Sequence, residues 1–457
     1  MTDGTSGNRL QRLLGKGFSI AAGIGFVIGL GILRTPGEIA TTVSEPLPYM
    51  ALWIVCAAFV LLSLLVVAEL IAMTPRTGGI YALVAHAYGP YPGFLIGWSD
   101  WVANSASMAL KAFVLAEYVA LLEPRLEPYV VVIAILVSTC FAMLQLRGLR
   151  LGATIQQVAS AIIGLIVIAL AAALFYGAFA AGGPASVPDV EVPRGGMSWV
   201  ALGTVVAAVV YTYDGWYAPS YFSGEMKSGA RAVAIGSVQA AMIVAVLYIV
   251  LNLAIVVSVP LGALIGHELA LAGAIDAIYG AGAGTIVVFA AIFILLSHQN
   301  LQYMVASRVL YSLSTDGLGT RRAASVNERG TPAVAVLMTW GLTVFLIAIG
   351  EFLLLLSLVT IFFVAMYVGL VVGVFRLRRQ EPDAERPFRA WGFPVTGYIC
   401  AAGWLGVAVF VAATQWMSTV YGIALTVISV PVYLYLKRRR HLGAAIRSEG
   451  GGAQGET

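Results

Sequence analysis

Long apolar runs, separated by short polar loops, dominate the chain from end to end. Each run has about 18 to 25 residues, which as a helix crosses a hydrocarbon core of about 30 Å. The runs begin near Phe18, Pro48, Gly93, Pro128, Ala153, Trp199, Ala234, Ala283, Ala333, Phe352, Pro394 and Met417. The pattern therefore predicts an all-α polytopic membrane protein with 12 transmembrane helices.

The composition excludes an ordinary soluble protein. Hydrophobic residues make up 60% of the 457 residues and charged residues only 11%, whereas a surface that faces water needs more charge. Cys56, Cys140 and Cys400 all fall within apolar runs, which predicts buried thiols. The sequence has no metal-ligand spacing, no Ser/His/Asp pattern and no P-loop, so we expect no metal, no cofactor and no enzyme activity.

The basic residues orient the predicted helices. Of the 26 Lys and Arg residues, 22 fall in loops on one side of the predicted topology. The positive-inside rule makes that side cytoplasmic, and an even number of spans places both termini there. We therefore expect a multi-pass protein of the inner (plasma) membrane with the lipid bilayer as its surroundings. The net charge of +4 follows from these loops and gives no reason to expect a nucleic-acid partner.

Two of the apolar runs are interrupted. The stretch GIGFVIGLGILRTPG, residues 23–37, has four glycines in nine positions of the first run. Each glycine costs a helix interior roughly 1 kcal/mol relative to alanine. The sixth run breaks at Tyr213 to Gly215, and Pro219 follows. Five spans separate the two breaks, and this odd offset inverts their topology, which is typical of the central site of a secondary transporter.

A broken helix offers its backbone to a ligand. The first N–H groups of a half-helix attract an anion, and the last carbonyl groups of another attract a cation. An α-amino acid carries both charges side by side, so the two breaks together predict such a substrate. The alternative is that the glycines are packing notches, since Gly25 and Gly29 have the small-xxx-small spacing.

Four ordered motifs resemble the amino acid–polyamine–organocation (APC) transporter family over roughly residues 15–436. They are Gly29 to Leu33 with Pro36-Gly37, the run AELIAMTPRTGGIYALVAHAYGPYPGFLIGW, YDGW with Glu225, and ASRVLYSLSTDG. The resemblance implies a five-plus-five inverted repeat with helices 1 and 6 unwound, followed by two C-terminal helices.

The expected domain boundaries follow from this resemblance. Residues 1–17 form a cytoplasmic N-terminal segment and 18–436 the transporter domain. Within it we expect repeat one at about 18–182, repeat two at about 197–377, and helices 11 and 12 at about 394–436. Residues 437–457 are predicted to be a basic, disordered cytoplasmic tail.

The resemblance also implies a substrate site. The substrate carboxylate would bind backbone N–H groups of Leu30 and Gly31, beside Gly29. The ammonium would bind carbonyl groups of Val27, Tyr211 and Asp214, and the Tyr211 ring would close over the substrate. Candidates for the side-chain pocket are Ser107, Gln299 and Gln302. Leu30 stands where the family usually has serine, which predicts a less polar and more crowded pocket near the carboxylate.

The fifth span departs from many proton-linked members of the family, because Ile163 stands where they carry a lysine. Lys111 lies mid-span in the third run, roughly 18 Å from its outer end. We hypothesise that Lys111 replaces the missing lysine as the coupling group. The alternative is a lysine that snorkels outward or pairs with a carboxylate such as Glu117.

Five further ionisable groups have narrower predicted roles. Asp214 is either an anchor near the ammonium or a cap on the broken helix. Glu69 and Asp100 are interpreted as interface or gate groups, and Glu225 as the gate partner of a nearby Arg or Lys. For His298 we favour polar packing over a proton relay.

Taken together, the sequence predicts a secondary active transporter for amino acids, with neutral substrates favoured. Its partners would be the amino acid and a proton or counter-substrate. The alternatives are a carrier of cationic amino acids or polyamines and a transporter-like sensor. A membrane-embedded enzyme is disfavoured by the absence of a catalytic pattern.

Overall fold

The structure is a computed structural model that describes residues 10–185, 198–350 and 352–451, with the side chains of 362–438 described in the last range. Part of the N-terminal segment 1–17, most of the boundary between the two expected repeats and the end of the tail 437–457 therefore lie outside the described residues.

The described residues form fifteen α-helices. The first eight are α1 Lys16–Val27, α2 Gly31–Ala40, α3 Pro46–Met73, α4 Ile80–Tyr88, α5 Pro90–Leu122, α6 Val130–Leu146, α7 Leu149–Ala181 and α8 Trp199–Thr212. The others are α9 Gly229–Ser258, α10 Ala270–Tyr279, α11 Thr285–Thr315, α12 Ala333–Ile349, α13 Phe352–Gln380, α14 Val395–Thr414 and α15 Trp416–Gly451. Short 3₁₀ helices lie at Pro124–Tyr129, Ala218–Glu225, Leu261–Leu264 and Arg321–Ala324.

The helices are those of a multi-pass membrane protein. Among the described residues, nine helical segments are long and apolar enough to cross a membrane, counting Lys16–Ala40 as one. Three shorter apolar helices are Trp199–Thr212, Ala270–Tyr279 and Ala333–Ile349. The total of twelve spans, the inverted repeat and the domain boundaries stay predictions. Helix α15 continues to Gly451, into the tail for which disorder is predicted.

Helix α11 forms the centre of the molecule. Every residue from Ser297 to Ser314 is buried, and α11 packs against α5, α7 and α12. Helix α1 packs beside it against α7 and α9, whereas α15 is largely exposed. This arrangement places the glycine-rich stretch of the first run next to the core helix.

Two glycines of α1 permit its close packing. A Cβ atom at Gly23 would lie 2.5 Å from Ala240 Cβ of α9, and one at Gly25 would lie 2.2 Å from Gln156 Nε2 of α7. Both distances are far inside van der Waals contact. A larger residue at Gly23 would push α1 away from α9, and one at Gly25 would displace the Gln156 and Ser160 side chains of α7. For these two glycines the packing interpretation holds.

The cysteine prediction is confirmed for two residues and wrong for the third. Cys56 and Cys400 are buried, but Cys140 is exposed on the surface of α6. Apolar runs in a membrane protein have outward faces as apolar as their inward ones, so the run alone does not bury a thiol.

Candidate functional site

The first interruption leaves backbone donors free. Helix α1 ends at Val27 and α2 begins at Gly31. The first carbonyl to accept from α2 is that of Leu30, bonded to Leu33 N at 3.0 Å and Arg34 N at 3.2 Å. The N–H groups of Leu30, Gly31 and Ile32 donate to no acceptor among the described residues. These donors and the positive end of the helix dipole suit an anion.

The carbonyl side of this break already has partners. Tyr248 Oη donates a hydrogen bond to Val27 O at 3.0 Å, and His298 Nε2 lies 3.2 Å from Phe26 O. The Val27 carbonyl retains a second lone pair for the ammonium that it is predicted to bind. His298 Nδ1 also lies 3.1 Å from Ile294 O, so both ring nitrogens contact backbone. This contact agrees with the packing role favoured for His298.

The second interruption follows α8. Helix α8 starts after Ser198, whose Oγ accepts a hydrogen bond from Ala201 N at 3.1 Å, and it ends at Thr212. Turns run from Tyr213 to Tyr217 before the 3₁₀ helix Ala218–Glu225. The carbonyl of Tyr211 accepts from Asp214 N at 3.0 Å, whereas that of Asp214 accepts no hydrogen bond from any described residue. The Asp214 carbonyl, one of those predicted to bind the substrate ammonium, therefore has no hydrogen-bond donor among the described residues.

The two interruptions touch. Gly215 has a φ of +107°, and a Cβ atom there would lie 2.6 Å from Phe26 Cδ1. Glycine is therefore required both by the backbone and by the space. Thr35 of α2 and Thr212 of α8 share a hydrogen bond of 2.9 Å between their Oγ1 atoms. The start of α2 and the end of α8 are in this way held against each other.

Opposite charges lie near the second interruption. Asp214 accepts a hydrogen bond from Tyr367 Oη of α13. Lys111 of α5 interacts electrostatically with Asp214 and with His298, although it forms no ion pair within the described residues. The alternative pairing with Glu117 is therefore not found in this part of the chain. Lys111 is instead close enough to Asp214 of the second interruption for an electrostatic interaction.

The Tyr211 ring is open to its surroundings. Tyr211 is 73% exposed, although the neighbouring Val210 and Thr212 are buried. An exposed aromatic ring at the edge of an interruption has room to swing, but closure over a substrate stays a prediction for Tyr211.

The three candidates for the side-chain pocket lie together between α5 and α11. Gln302 Nε2 donates to Ser107 Oγ at 3.1 Å, and Gln299 Nε2 donates to Met108 O at 2.8 Å. Both glutamines are buried, and their Oε1 atoms accept no hydrogen bond from the described residues. The structure thus supports a polar contact between the helices, one turn before Lys111.

Asp100 of α5 is tied to the segment after the second interruption. Its carboxylate accepts hydrogen bonds from Tyr221 Oη at 2.8 and 3.0 Å and from Asn104 Nδ2 at 2.9 Å. Asp100 is 5% exposed and pairs with no cation among the described residues. The role of Asp100 as a gate or interface group stays a prediction, and its tyrosine partner was missed.

Two other buried carboxylates have arginine partners. Glu225 is bonded by Arg308 Nε at 2.8 Å and Arg308 Nη2 at 3.0 Å, which confirms the predicted basic partner. Glu69 is bonded by Arg378 Nη2 at 2.6 Å, and Arg386 Nε lies 3.3 Å away. Glu225 joins the second interruption to α11, and Glu69 joins α3 to the end of α13.

Helix α7 contacts α1 through neutral groups. Ser160 Oγ donates to Ala21 O at 2.7 Å, and Gln156 Nε2 donates to Ser160 Oγ and Ser297 Oγ at 3.1 Å each. Ile163 is fully buried. The surface between α1, α7 and α11 is therefore polar but uncharged. No group of three His, Cys, Asp or Glu residues within the described ranges could hold a metal ion.

Comparison with known proteins places this arrangement in context. A family model described as amino acid permease matches residues 18–434. The serine/threonine exchanger SteT of Bacillus subtilis is 23% identical over 95% of this chain and 99% of its own length. The b(0,+)-type amino acid transporter 1 of Rattus norvegicus is 25% identical over 93% of this chain and 85% of its own. The glutamate/serine transporter AimA of Bacillus subtilis is 22% identical, covering 94% and 83%.

Proposed function

Because this chain belongs to the amino acid permease family, we propose that it is a secondary active transporter that moves neutral amino acids across the cytoplasmic membrane by alternating access. Amino acid transport itself is supported by relatives that align over nearly the whole chain and are named for it. The neutral substrate and the mechanism rest on the geometry of the two interruptions.

The observation that carries this proposal is the set of free N–H groups at the start of α2. Leu30, Gly31 and Ile32 leave their donors unused while the end of α8 lies against them through Thr212. A substrate carboxylate would accept hydrogen bonds from these N–H groups, and the carbonyl groups of Asp214 and Val27 would accept hydrogen bonds from the substrate ammonium. An α-amino acid thus satisfies both half-helix ends in one binding event.

The charges around the site favour a substrate without net charge. Lys111 interacts electrostatically with Asp214, so the carboxylate at the second interruption is less available to a second ammonium group. A carrier of cationic amino acids or polyamines is the alternative, in which Asp214 would bind that second ammonium. One-for-one exchange is the coupling mode that we favour, since SteT, which aligns over 95% of this chain, is named an exchanger.

Flux measurements in proteoliposomes test this function. Vesicles containing the purified protein would be preloaded with unlabelled serine and given labelled serine, leucine, lysine or putrescine outside. We expect saturable uptake of serine or leucine that depends on the internal serine, and little uptake of lysine or putrescine. Preferential uptake of lysine or putrescine would support the cationic alternative, and saturable binding without flux would support a sensor.

A further inference from the structure

A cavity of ≈ 280 Å³ lies outside the two interruptions, between the start of α1 and the start of α9. Its lining includes Lys16 of α1 together with Ser228, Arg231, Ile235 and Gln239 at the beginning of α9. Nothing in the transport site uses these side chains. The cavity opens on the side of the molecule where the basic loops predict the cytoplasm.

The cavity is positively charged without internal compensation. Lys16 and Arg231 are exposed, and within the described residues neither side chain forms an ion pair or a hydrogen bond. Glu225, the nearest carboxylate along the chain, is held by Arg308. Helix α9 begins at Gly229, so its positive dipole end lies at the same place. These charges converge on a space large enough for an anionic group.

An apolar surface continues from the cavity along α9. Ile235, Met242 and Val246 are 37%, 55% and 60% exposed and follow one another at helical spacing on the outer face. In a multi-pass membrane protein such a face contacts acyl chains. The cavity therefore joins a basic pocket for a headgroup to a strip for the tail of the same molecule.

We propose that this cavity binds the phosphate headgroup of an anionic phospholipid, which Lys16 and Arg231 clamp between the two helices. Basic pockets between helices at the membrane surface attract such headgroups, and each Lys or Arg near the surface adds to the attraction. Ser228 and Gln239 supply hydrogen bonds to phosphate or glycerol oxygens. Ile235 begins the path of the acyl chain.

The position of Lys16 gives this lipid a structural consequence. Two residues earlier, Leu14 pairs with Met226 as an isolated β-bridge, through Leu14 N to Glu225 O at 3.1 Å and Lys227 N to Leu14 O at 2.9 Å. A headgroup that holds Lys16 beside Arg231 restrains both segments that form this bridge, since Lys16 follows Leu14 and Arg231 follows Met226. The bound lipid therefore stabilises the docked position of the N-terminal segment.

Thermal unfolding of the full chain in detergent tests this site. A short-chain phosphatidylglycerol is titrated against the short-chain phosphatidylcholine of equal length, and the apparent melting temperature is recorded. We expect saturable stabilisation by phosphatidylglycerol alone. Each basic group should contribute about a fivefold change in affinity, so in the double variant Lys16→Gln/Arg231→Gln the half-saturating concentration should rise roughly 25-fold.

Two matched variants separate the cavity from general surface charge. Arg321→Gln/Arg322→Gln removes two exposed charges from a different loop and should leave the titration unchanged. Lys16→Arg/Arg231→Lys keeps both charges and should retain the stabilisation. An equal loss in the Arg321/Arg322 variant, or no loss in the Lys16/Arg231 variant, would overturn the site. The remaining outcome is that inorganic phosphate stabilises the protein as much as phosphatidylglycerol does, with loss of that effect in Lys16→Gln/Arg231→Gln. That result would assign the cavity to a soluble phosphate and contradict the lipid proposal.

Discussion

At the residue scale, the four glycines of the first run have different surroundings. Gly23 and Gly25 pack against α9 and α7. A Cβ atom at Gly29 would face His298 Cε1 at 3.5 Å, and one at Gly31 would face Thr212 Oγ1 at 3.1 Å. The first pair thus serves helix packing, and the second pair lies where the interruptions meet.

We expect Gly31→Val to abolish transport without unfolding the protein. The first added carbon is already tight against Thr212, and the two further methyl groups would push α8 away from the free N–H groups of α2. Binding of serine and the melting temperature of the purified variant would be measured together.

The matched control is Gly164→Val in α7, where an added Cβ meets nothing within 4 Å. It carries the same change of residue in another long apolar helix and should transport like the unmodified protein. Serine affinity in Gly31→Val equal to that of the unmodified protein would contradict a backbone carboxylate site at this glycine.

At the element scale, α5 carries Lys111 close enough to Asp214 for an electrostatic interaction. If Lys111 is the coupling group, Lys111→Met should lose pH-driven accumulation while keeping one-for-one exchange, because the substrate site remains and only the titrating amine is removed. Uptake into liposomes with an imposed pH gradient, beside counterflow at equal pH, measures the two activities separately.

Lys227→Met is the control for this experiment, since Lys227 is exposed and lies outside the membrane helices. It should behave like the unmodified protein in both assays. Full accumulation by Lys111→Met under the same gradient would show that Lys111 has a structural role and that coupling occurs elsewhere.

The elements of the site differ in how far the sequence predicts them. The interruptions after Val27 and Thr212 were predictable because glycine, proline and an acidic residue inside an apolar run weaken a helix locally. The sequence did not predict three hydrogen-bonded pairs of this site: Thr35 with Thr212, Val27 with Tyr248, and Asp214 with Tyr367. The members of these pairs lie 177, 221 and 153 residues apart along the chain, and no local pattern encodes such pairings.

At the scale of the whole molecule, the Arg308–Glu225 pair joins α11 to the segment after the second interruption. The two side chains are 2% and 0% exposed, and Arg308 also lies over the Phe222 ring at 5.0 Å. Arg308→Met should destabilise the protein by about 3–5 kcal/mol, because Glu225 would remain buried without a counter-charge. Unfolding in detergent by denaturant measures the change.

Removing both charges should restore part of that stability. In Arg308→Met/Glu225→Gln no uncompensated charge is left, so the double variant should unfold later than the single one. Arg321→Met, at an exposed position, controls for the loss of a positive charge. A single Arg308 variant as stable as the unmodified protein would show that the pair contributes nothing to this packing.

The β-bridge between Leu14 and Met226 has a consequence for leakage. Its two backbone hydrogen bonds lie on either side of Met226, and one of them is accepted by Glu225, whose side chain holds Arg308. Phe222, three residues before Glu225, packs edge-to-face on Phe18 at 4.9 Å. Separating α1 from this segment breaks the bridge, the ring contact and the shielding of a buried ion pair at once. Because these contacts are lost together, we expect the segment to open cooperatively. A carrier that moves solute past this point would therefore resist slow uncoupled escape of the solute.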